Sequence, residues 1–147
     1  MNPVDARILK TIRKHHIFTL ATSEDNKPYC CTCFYTYIKE KNLFIFTSEY
    51  NTRHIGQFLK QPIVAGSIAL ETRIIGKIRG LQFTGKMAEL KDQELKEARK
   101  AYLLKFPYTL PFLKDTPFWS IAPDFIKLTD NRLGFGTKLI WSNLGNL

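Results

Sequence analysis

Residues 43–54 of the chain are LFIFTSEYNTRH, a strand that passes directly into the start of a helix. The first five are bulky residues, mostly aromatic or β-branched, and are typical of a strand. Apolar residues then recur at helical spacing at Ile55, Phe58 and Leu59, so a short helix is predicted to begin near Thr52. At such a junction the helix N-terminus, with its free backbone N–H groups and the positive end of the helix dipole, lies beside the polar side chains of residues 47–54.

Five further strands are predicted by runs of β-favouring residues bounded by polar turns. They cover residues 17–23, 29–38, 62–70, 74–90 and 118–129. Apolar residues at helical spacing predict one helix over residues 3–14 and another that Asp92 caps. Parallel neighbours would need a crossover helix between successive strands, which this order lacks. We therefore predict a mainly β (α+β) fold, a closed or split antiparallel barrel.

The composition is that of a globular protein, and 147 residues fit one domain over residues 1–147. The net charge of +9 is spread evenly, with ten basic and six acidic residues in 1–73, and twelve and seven in 74–147. Because no run of like charges occurs, a solvated basic surface is favoured over a nucleic-acid-binding arm. A barrel that binds single-stranded nucleic acid through Tyr29, Tyr35, Tyr37 and nearby cations is the more distant alternative.

The location of the protein is predicted from signals that the sequence lacks. No apolar stretch approaches the roughly 18 residues of a membrane span. Charged residues, among them Asp5, Arg7 and Lys10, occupy the place where the apolar part of a secretion signal would lie. We therefore expect a cytoplasmic protein that neither spans a membrane nor is exported.

Cys30, Cys31 and Cys33 are the three cysteines of the chain. An odd number at such close spacing does not suggest a secretory disulfide framework. Zinc sites need about four ligands, and the three histidines show no finger-like spacing with the cysteines, so no metal site is predicted. The cysteines are expected to be small buried or half-buried strand residues.

The strand-to-helix junction is the first candidate binding site. It combines hydroxyls, free N–H groups, a guanidinium and an imidazole, which together suit a phosphate. The residues concerned are Thr47, Ser48, Thr52, Arg53 and His54. From spacing alone, the same residues also fit an ordinary capped helix with an exposed arginine. Neither the Gly-x-Gly-x-x-Gly fingerprint nor the P-loop occurs, so the folds that carry those motifs are excluded.

The glycine-containing strand over residues 74–90 is the second candidate. Gln82 shares a strand face with Gly80 and Thr84, and Arg79 precedes them. An amide among small residues provides room for a flat ring with a hydrogen-bonding edge. A solvent-facing glutamine on a half-exposed strand fits the same pattern.

Taken in order, these segments resemble the pyridoxamine-phosphate-oxidase-like FMN-binding split barrels. The segments that carry this resemblance are Thr19–Thr22, Pro28, Thr32–Tyr37, Leu43–Thr47, Thr52–His54, Gln61–Ala65 and Arg79–Lys86. The carboxy-terminal half is similar to the YhbP-type branch of that superfamily. The segments that carry this second resemblance are Ala98–Tyr102, Phe106–Pro107, Phe125–Asn131, Leu133–Gly136 and Ile140–Trp141.

The resemblance implies a homodimer of six-stranded split barrels, flanked by a few short helices, with two FMN molecules between the subunits. It places the FMN phosphate on Thr47, Ser48, Thr52, Arg53 and His54. It places the backbone of Thr32 and Cys33 along the isoalloxazine, and Arg79 with Gln82 at its polar edge. Trp119, Trp141 or Lys138 of the partner subunit are candidates to lie near the flavin.

Departures from the oxidase pattern shape the functional hypothesis. Two basic residues of the true oxidase fall at Cys31 and Thr36, and its terminal Arg-Leu-x-Pro segment is absent. Pyridoxamine phosphate is therefore not the expected substrate. We expect an FMN-dependent oxidoreductase for an unknown small molecule, in which the flavin carries the chemistry and no catalytic side chain is assigned. A flavin or haem carrier or sensor without turnover is the alternative.

Overall fold

The computed structural model describes residues 2–143, in which the strands form a single antiparallel sheet. The strands are β1 (Ile17–Glu24), β2 (Lys27–Phe34), β3 (Thr36–Ile38), β4 (Leu43–Thr47), β5 (Ile63–Ala69), β6 (Arg79–Glu89), β7 (Phe118–Asp130) and β8 (Lys138–Ser142). Their order is β2-β1-β5-β6-β7-β4-β3, and β8 pairs with β7. The mainly β, antiparallel prediction is confirmed.

The described residues contain two more strands than the six that the sequence predicts, for two separate reasons. The predicted strand over residues 29–38 is divided at Tyr35, which is fully buried and donates its hydroxyl proton to the Ile12 carbonyl. Tyr35 and the next residue, Thr36, are both buried, so the regular alternation of faces ends there. The segment Lys138–Ser142, to which no strand was assigned, pairs with β7.

Three α-helices flank the sheet within the described residues: α1 (Ala6–Lys14), α2 (Arg53–Lys60) and α3 (Asp92–Lys105). Thr52 caps α2, as its position before the helix predicts, and accepts a hydrogen bond from the Ile55 amide. The prediction that Asp92 caps α3 is wrong, because Lys91 is the N-cap residue and makes no side-chain capping bond. Asp92 instead lies in the first turn, where its charge suits the helix dipole.

Aromatic rings fill the barrel interior. Phe44 and Phe83 stack with ring centroids 4.3 Å apart, and Phe18 packs against both. Burial of each such ring stabilises the fold by about 1.5–3 kcal/mol. A second buried cluster lies beneath α3 and includes Tyr102 and Phe106. These contacts fill the interior of the curved sheet and hold β4 in its wall.

Helix α2 is anchored to the barrel at both of its buried faces. Ile55 and Phe58 belong to the core, and the Phe58 ring meets the indole of Trp119 edge to face. On the other side, the Thr22 hydroxyl of β1 donates to Gln57 Oε1 at 2.7 Å, in a buried position. The first turn of α2 is therefore held against β1 and the neighbouring β2. Among the helices of the described part of the chain, none is long and apolar enough to cross a membrane.

Candidate functional site

The junction between β4 and α2 uses two of its hydroxyl groups within the protein. Thr47 Oγ1 donates to the Pro117 carbonyl at 2.8 Å. Thr52 Oγ1 donates to the Glu49 carbonyl at 3.0 Å while it caps the helix. A hydroxyl has one proton to donate, so these two threonines shape the corner and have no further proton for an anion.

Ser48 and His54 form the inner part of the same corner. Ser48 Oγ lies 2.5 Å from Nε2 of His54, and Thr52 Oγ1 lies 3.3 Å from the same nitrogen. The imidazole is only 9% exposed. The indole N–H of Trp119 donates to the Ser48 carbonyl at 2.8 Å, which holds the backbone at the end of β4. The orientation of the imidazole is thus set by both neighbouring elements.

Arg53 lies on the outer side of the corner. Its guanidinium carbon is 4.4 Å from the ring centroid of Tyr29, a cation–π contact with β2. The guanidinium borders a cleft of about 390 Å³ that also contains Glu24 and Lys60. Lys60 Nζ lies 2.5 Å from the Glu24 carboxylate, so this acidic side chain already has a cationic partner. Arg53 is therefore placed at the cleft with its charge directed to a ligand-sized space.

Cys31 and Cys33 lie on the inner face of β2, next to His54. The two sulfurs are 3.8 Å apart, and the three potential ligand atoms of these residues all lie within 4.8 Å of one another. The hydrogen bond from Cys33, together with His54, lowers the pKa of Cys31 to about 5. The same thiol–thiol bond and burial raise the pKa of Cys33. Spacing along the chain does not indicate this cluster, because α2 must first fold onto β2.

Cys30 and Thr32, which alternate with the inner residues of β2, point outward. Thr32, predicted to lie along the flavin, is exposed on the outer face and pairs with Thr19 of β1. Cys30 is also exposed, which contradicts the prediction of a buried or half-buried position. The reason is that β2 is an edge strand whose outer face is uncovered. Burial alternates regularly along β2 from Tyr29 to Phe34, as in a strand with one covered face.

Arg79 and Gln82 do not come together within one protomer. Gln82 lies on the outer face of β6, in a groove of about 290 Å³ that small residues such as Ala21 and Ala65 also line. Arg79 lies three residues away on the inner side, in a cleft of about 200 Å³ beside α1. Its Nε atom is buried and has no hydrogen-bond partner among the described residues.

The tryptophans that the resemblance suggests as partner contacts are buried in their own protomer. Trp119 is 0% exposed and Trp141 is 5% exposed. The Trp141 indole donates to the Asn2 carbonyl at 2.8 Å. The expectation that either ring stacks on a flavin of the other subunit is therefore wrong, because neither ring is accessible. Lys138, at the start of β8, is exposed.

Solved structures identify the class of fold. A haem-binding protein from Mycobacterium smegmatis superposes with a TM-score of 0.78 at 16% identity, over 97% of this chain and 59% of that chain. An FAD-binding protein from Mesorhizobium loti gives 0.70 at 16% identity, over 85% and 92%. A putative pyridoxamine 5'-phosphate oxidase from Listeria innocua gives 0.65 at 14% identity, over 82% and 93%. The chain thus has the split-barrel fold that these structures share.

Sequence relatives define the family more narrowly. A UPF0306 protein from Photorhabdus laumondii is 37% identical over 134 residues, which cover 91% of this chain and 92% of the relative. The UPF0306 protein YhbP of Escherichia coli is also 37% identical over 134 residues, covering 91% and 90%. The chain belongs to the UPF0306 family. No protein-family model matches the sequence.

Proposed function

We propose that this protein binds FMN, with the phosphate at the β4–α2 junction, and that it acts as a flavin-dependent oxidoreductase on a small molecule. One observation carries the proposal: Arg53, in the first turn of α2, borders an open ligand-sized cleft, and the Ser48–His54 contact ties the end of β4 to the same turn. The amide N–H groups at the start of a helix have no intrahelical acceptor. Together with the helix dipole, they favour binding of an anion at this end.

The available donors fit a phosphate group. Thr47 and Thr52 have committed their hydroxyl protons to backbone carbonyls, so their contribution is to the shape of the corner. Ser48 Oγ and His54 Nε2 are bonded to each other, so the Ser48 proton is free when Nε2–H is the donor of that bond. The donors for the phosphate are then Arg53, Ser48 and the first-turn amides. A guanidinium meets two phosphate oxygens at once, and each charge-assisted bond contributes about 1.5–3 kcal/mol.

The outer groove provides the space for the flavin ring. Small residues line it, and the Gln82 amide at its side can bond the polar edge of a flat ring. Ala21 and Cys30, which are paired across the β1–β2 hairpin, line the groove. Three residues further along β1, Glu24 pairs with Lys27, and both border the Arg53 cleft. Cleft and groove therefore lie about 10 Å apart along one hairpin, and because an odd number of residues separates them they open on its opposite faces. A ligand with a phosphate, a chain and a ring would pass around the edge strand β2 to reach both.

The dimer is part of the proposal. The resemblance to FMN-binding split barrels implies two cofactor sites between two subunits, and the groove lies on an uncovered face of the sheet. In such a site the flavin supplies hydride or electron transfer. The residues of this chain bind the phosphate, orient the ring and, with the second subunit, exclude water. A cytoplasmic location agrees with this role.

The test is a titration of the purified protein with FMN, followed by flavin fluorescence. We expect saturable binding to the wild type and an affinity about 10- to 100-fold weaker in Arg53→Ala, since one charge-assisted contact is lost. Lys60→Ala is the matched control, because it removes a cation from the same helix and cleft that is already paired with Glu24. Equal affinities for the wild type and Arg53→Ala would contradict the phosphate assignment.

A second measurement separates an enzyme from a carrier. Under anaerobic conditions NADH or NADPH is added to the flavin-loaded protein, and bleaching of the flavin absorbance reports reduction. We expect bleaching by one of the two donors. Persistent colour would count against a nicotinamide-driven reductase and favour a flavin carrier or sensor. A Soret band in the purified protein, instead of a flavin spectrum, would favour a haem carrier.

A further inference from the structure

Two thiols and an imidazole meet at the barrel wall. Cys31 and Cys33 are two residues apart on β2 and therefore point to the same face of the sheet. His54 lies in the first turn of α2, which the Thr22–Gln57 hydrogen bond holds against β1. Cys31 pairs with Leu20 of β1, so both elements meet at the same place. The position of each donor is thus set by the fold and not by a mobile loop.

The distances match the coordination geometry of zinc. Two sulfurs bonded at about 2.3 Å to one tetrahedral ion lie about 3.8 Å apart. The sulfurs of Cys31 and Cys33 are 3.8 Å apart, and the potential ligand atoms of all three residues lie within 4.8 Å of one another. The sulfur pair therefore has the spacing of two zinc ligands, and side-chain adjustment of His54 is sufficient to bring its nitrogen to the same ion. We propose that Cys31, Cys33 and His54 bind Zn²⁺, with the fourth coordination position open.

The surroundings of His54 support a ligand role. Metal-binding histidines are generally oriented by a polar partner at the ring, which holds the imidazole in place. In this protein Ser48 Oγ lies 2.5 Å from Nε2 of His54, and the ring is buried. The imidazole is therefore held by a neighbouring hydroxyl at the edge of the thiol pair.

Zinc binding has a chemical signature at a pair of thiols. Zn²⁺ binds cysteine as the thiolate, so an ion that takes up both sulfurs displaces thiol protons into solvent. Zinc uptake is therefore expected to release protons.

Three protein ligands define what the site can do. Closed structural zinc sites have four protein ligands, whereas sites with three keep a position for water or another small molecule. Both cysteines are half-buried, so an ion and a small ligand can reach them. A disulfide is the competing outcome, but it would require the sulfurs to approach from 3.8 Å to about 2.0 Å.

The experiment uses the full chain, reduced and stripped of metal, titrated with Zn²⁺ against a chromophoric chelator. We expect one ion per chain. Cys31→Ser should weaken zinc binding by about 100-fold or more, because a thiolate ligand is lost. Cys30→Ser is the matched control, because Cys30 is adjacent in sequence but exposed on the opposite face of β2. The zinc affinity of this variant should equal that of the wild type. Equal loss in both variants, or in neither, would overturn the site.

Cobalt provides a readout that does not depend on any variant. Co²⁺ bound to the wild type should show a thiolate-to-metal charge-transfer band and the intense visible absorption of a tetrahedral ion. Absence of this band overturns the proposal, even if the variants fail to fold. Loss of two hydrogen atoms by mass spectrometry under mild oxidation, with no metal uptake by the reduced chain, would assign the pair to a disulfide instead.

The zinc site goes beyond the flavin proposal and can fail separately from it. Arg53→Ala should lose FMN affinity and keep zinc affinity, because Arg53 is directed to the outer cleft. Cys31→Ser should lose zinc affinity and keep FMN affinity. If both variants lost both ligands, the two sites would be one, and the separate zinc site would be wrong.

Discussion

Ser48 Oγ lies 2.5 Å from Nε2 of His54, a contact that joins the end of β4 to the first turn of α2. Ser48→Ala removes the hydroxyl that orients the imidazole. We expect FMN affinity to fall about 3- to 10-fold, as for the loss of one neutral hydrogen bond. Fluorescence titration of both proteins measures the change.

Thr47→Val is the matched control for that substitution. The Thr47 hydroxyl donates to the Pro117 carbonyl, so its removal should lower the free energy of unfolding by about 1–2 kcal/mol and leave FMN affinity unchanged. Urea unfolding reports the first quantity and the flavin titration the second. Weaker FMN binding by Thr47→Val, with Ser48→Ala unaffected, would reverse the assignment of donors at this corner.

Gly85 is required by a close approach of two strands. A Cβ atom there would lie 2.5 Å from the Ala122 carbonyl oxygen, at the bulge where the register between β6 and β7 shifts. We expect Gly85→Ala to destabilise the protein by about 1–3 kcal/mol, through strain at the backbone. Gly56→Ala in α2 meets no atom within 4 Å and should be stabilising by about 0.4–1 kcal/mol. Thermal unfolding of both variants checks the opposite signs.

Lys105 makes stability depend on pH in a defined direction. Burial lowers the pKa of its ammonium group from 10.5 to about 8, although Nζ donates to the His15 carbonyl at 2.6 Å. Between these two pH values the unfolded chain binds more protons than the folded one, so the contribution of Lys105 to stability rises with pH. We expect the stability of the wild type relative to Lys105→Met to increase from about pH 7.5 to about pH 9.5. A decrease in urea-unfolding experiments would contradict the assignment.

Ala21 tests the proposed subunit contact. It lies in the outer groove among small side chains, where an arginine would obstruct both the ring site and the approach of a second sheet. We expect the wild type to sediment as a dimer and Ala21→Arg as a monomer with reduced FMN binding. Lys100→Ala, on the exposed surface of α3, should remain dimeric. A monomeric wild type would refute the interface.

Local patterns were sufficient for most of the fold. The run Leu43–Thr47 and the cap at Thr52 are properties of neighbouring residues, and both are found as predicted. The break at Tyr35 depends on a hydroxyl bond to α1 and on burial in the core. Alternation within one segment contains no information about such a distant partner, so the sequence predicted one strand where two exist.

In the candidate site, too, contacts between sequence neighbours were predictable and contacts made by packing were not. The grouping of Ser48, Thr52 and His54 follows from their closeness in sequence, and the structure brings them together. The contact of His54 with Cys31 and Cys33 joins residues more than 20 positions apart and depends on how α2 packs against β1 and β2. The two-residue spacing of Cys31 and Cys33 puts both on one strand face, but no local pattern places His54 beside them.

The affinity ratio of FMN and riboflavin tests the central claim most directly. Riboflavin carries the same ring and ribityl chain without the phosphate, so the ratio isolates the contribution of the β4–α2 junction. We predict that wild-type protein binds FMN at least about 10-fold more tightly than riboflavin, because charge-assisted contacts to the phosphate are lost. Equal affinity for the two flavins, or no binding of either, would contradict the account.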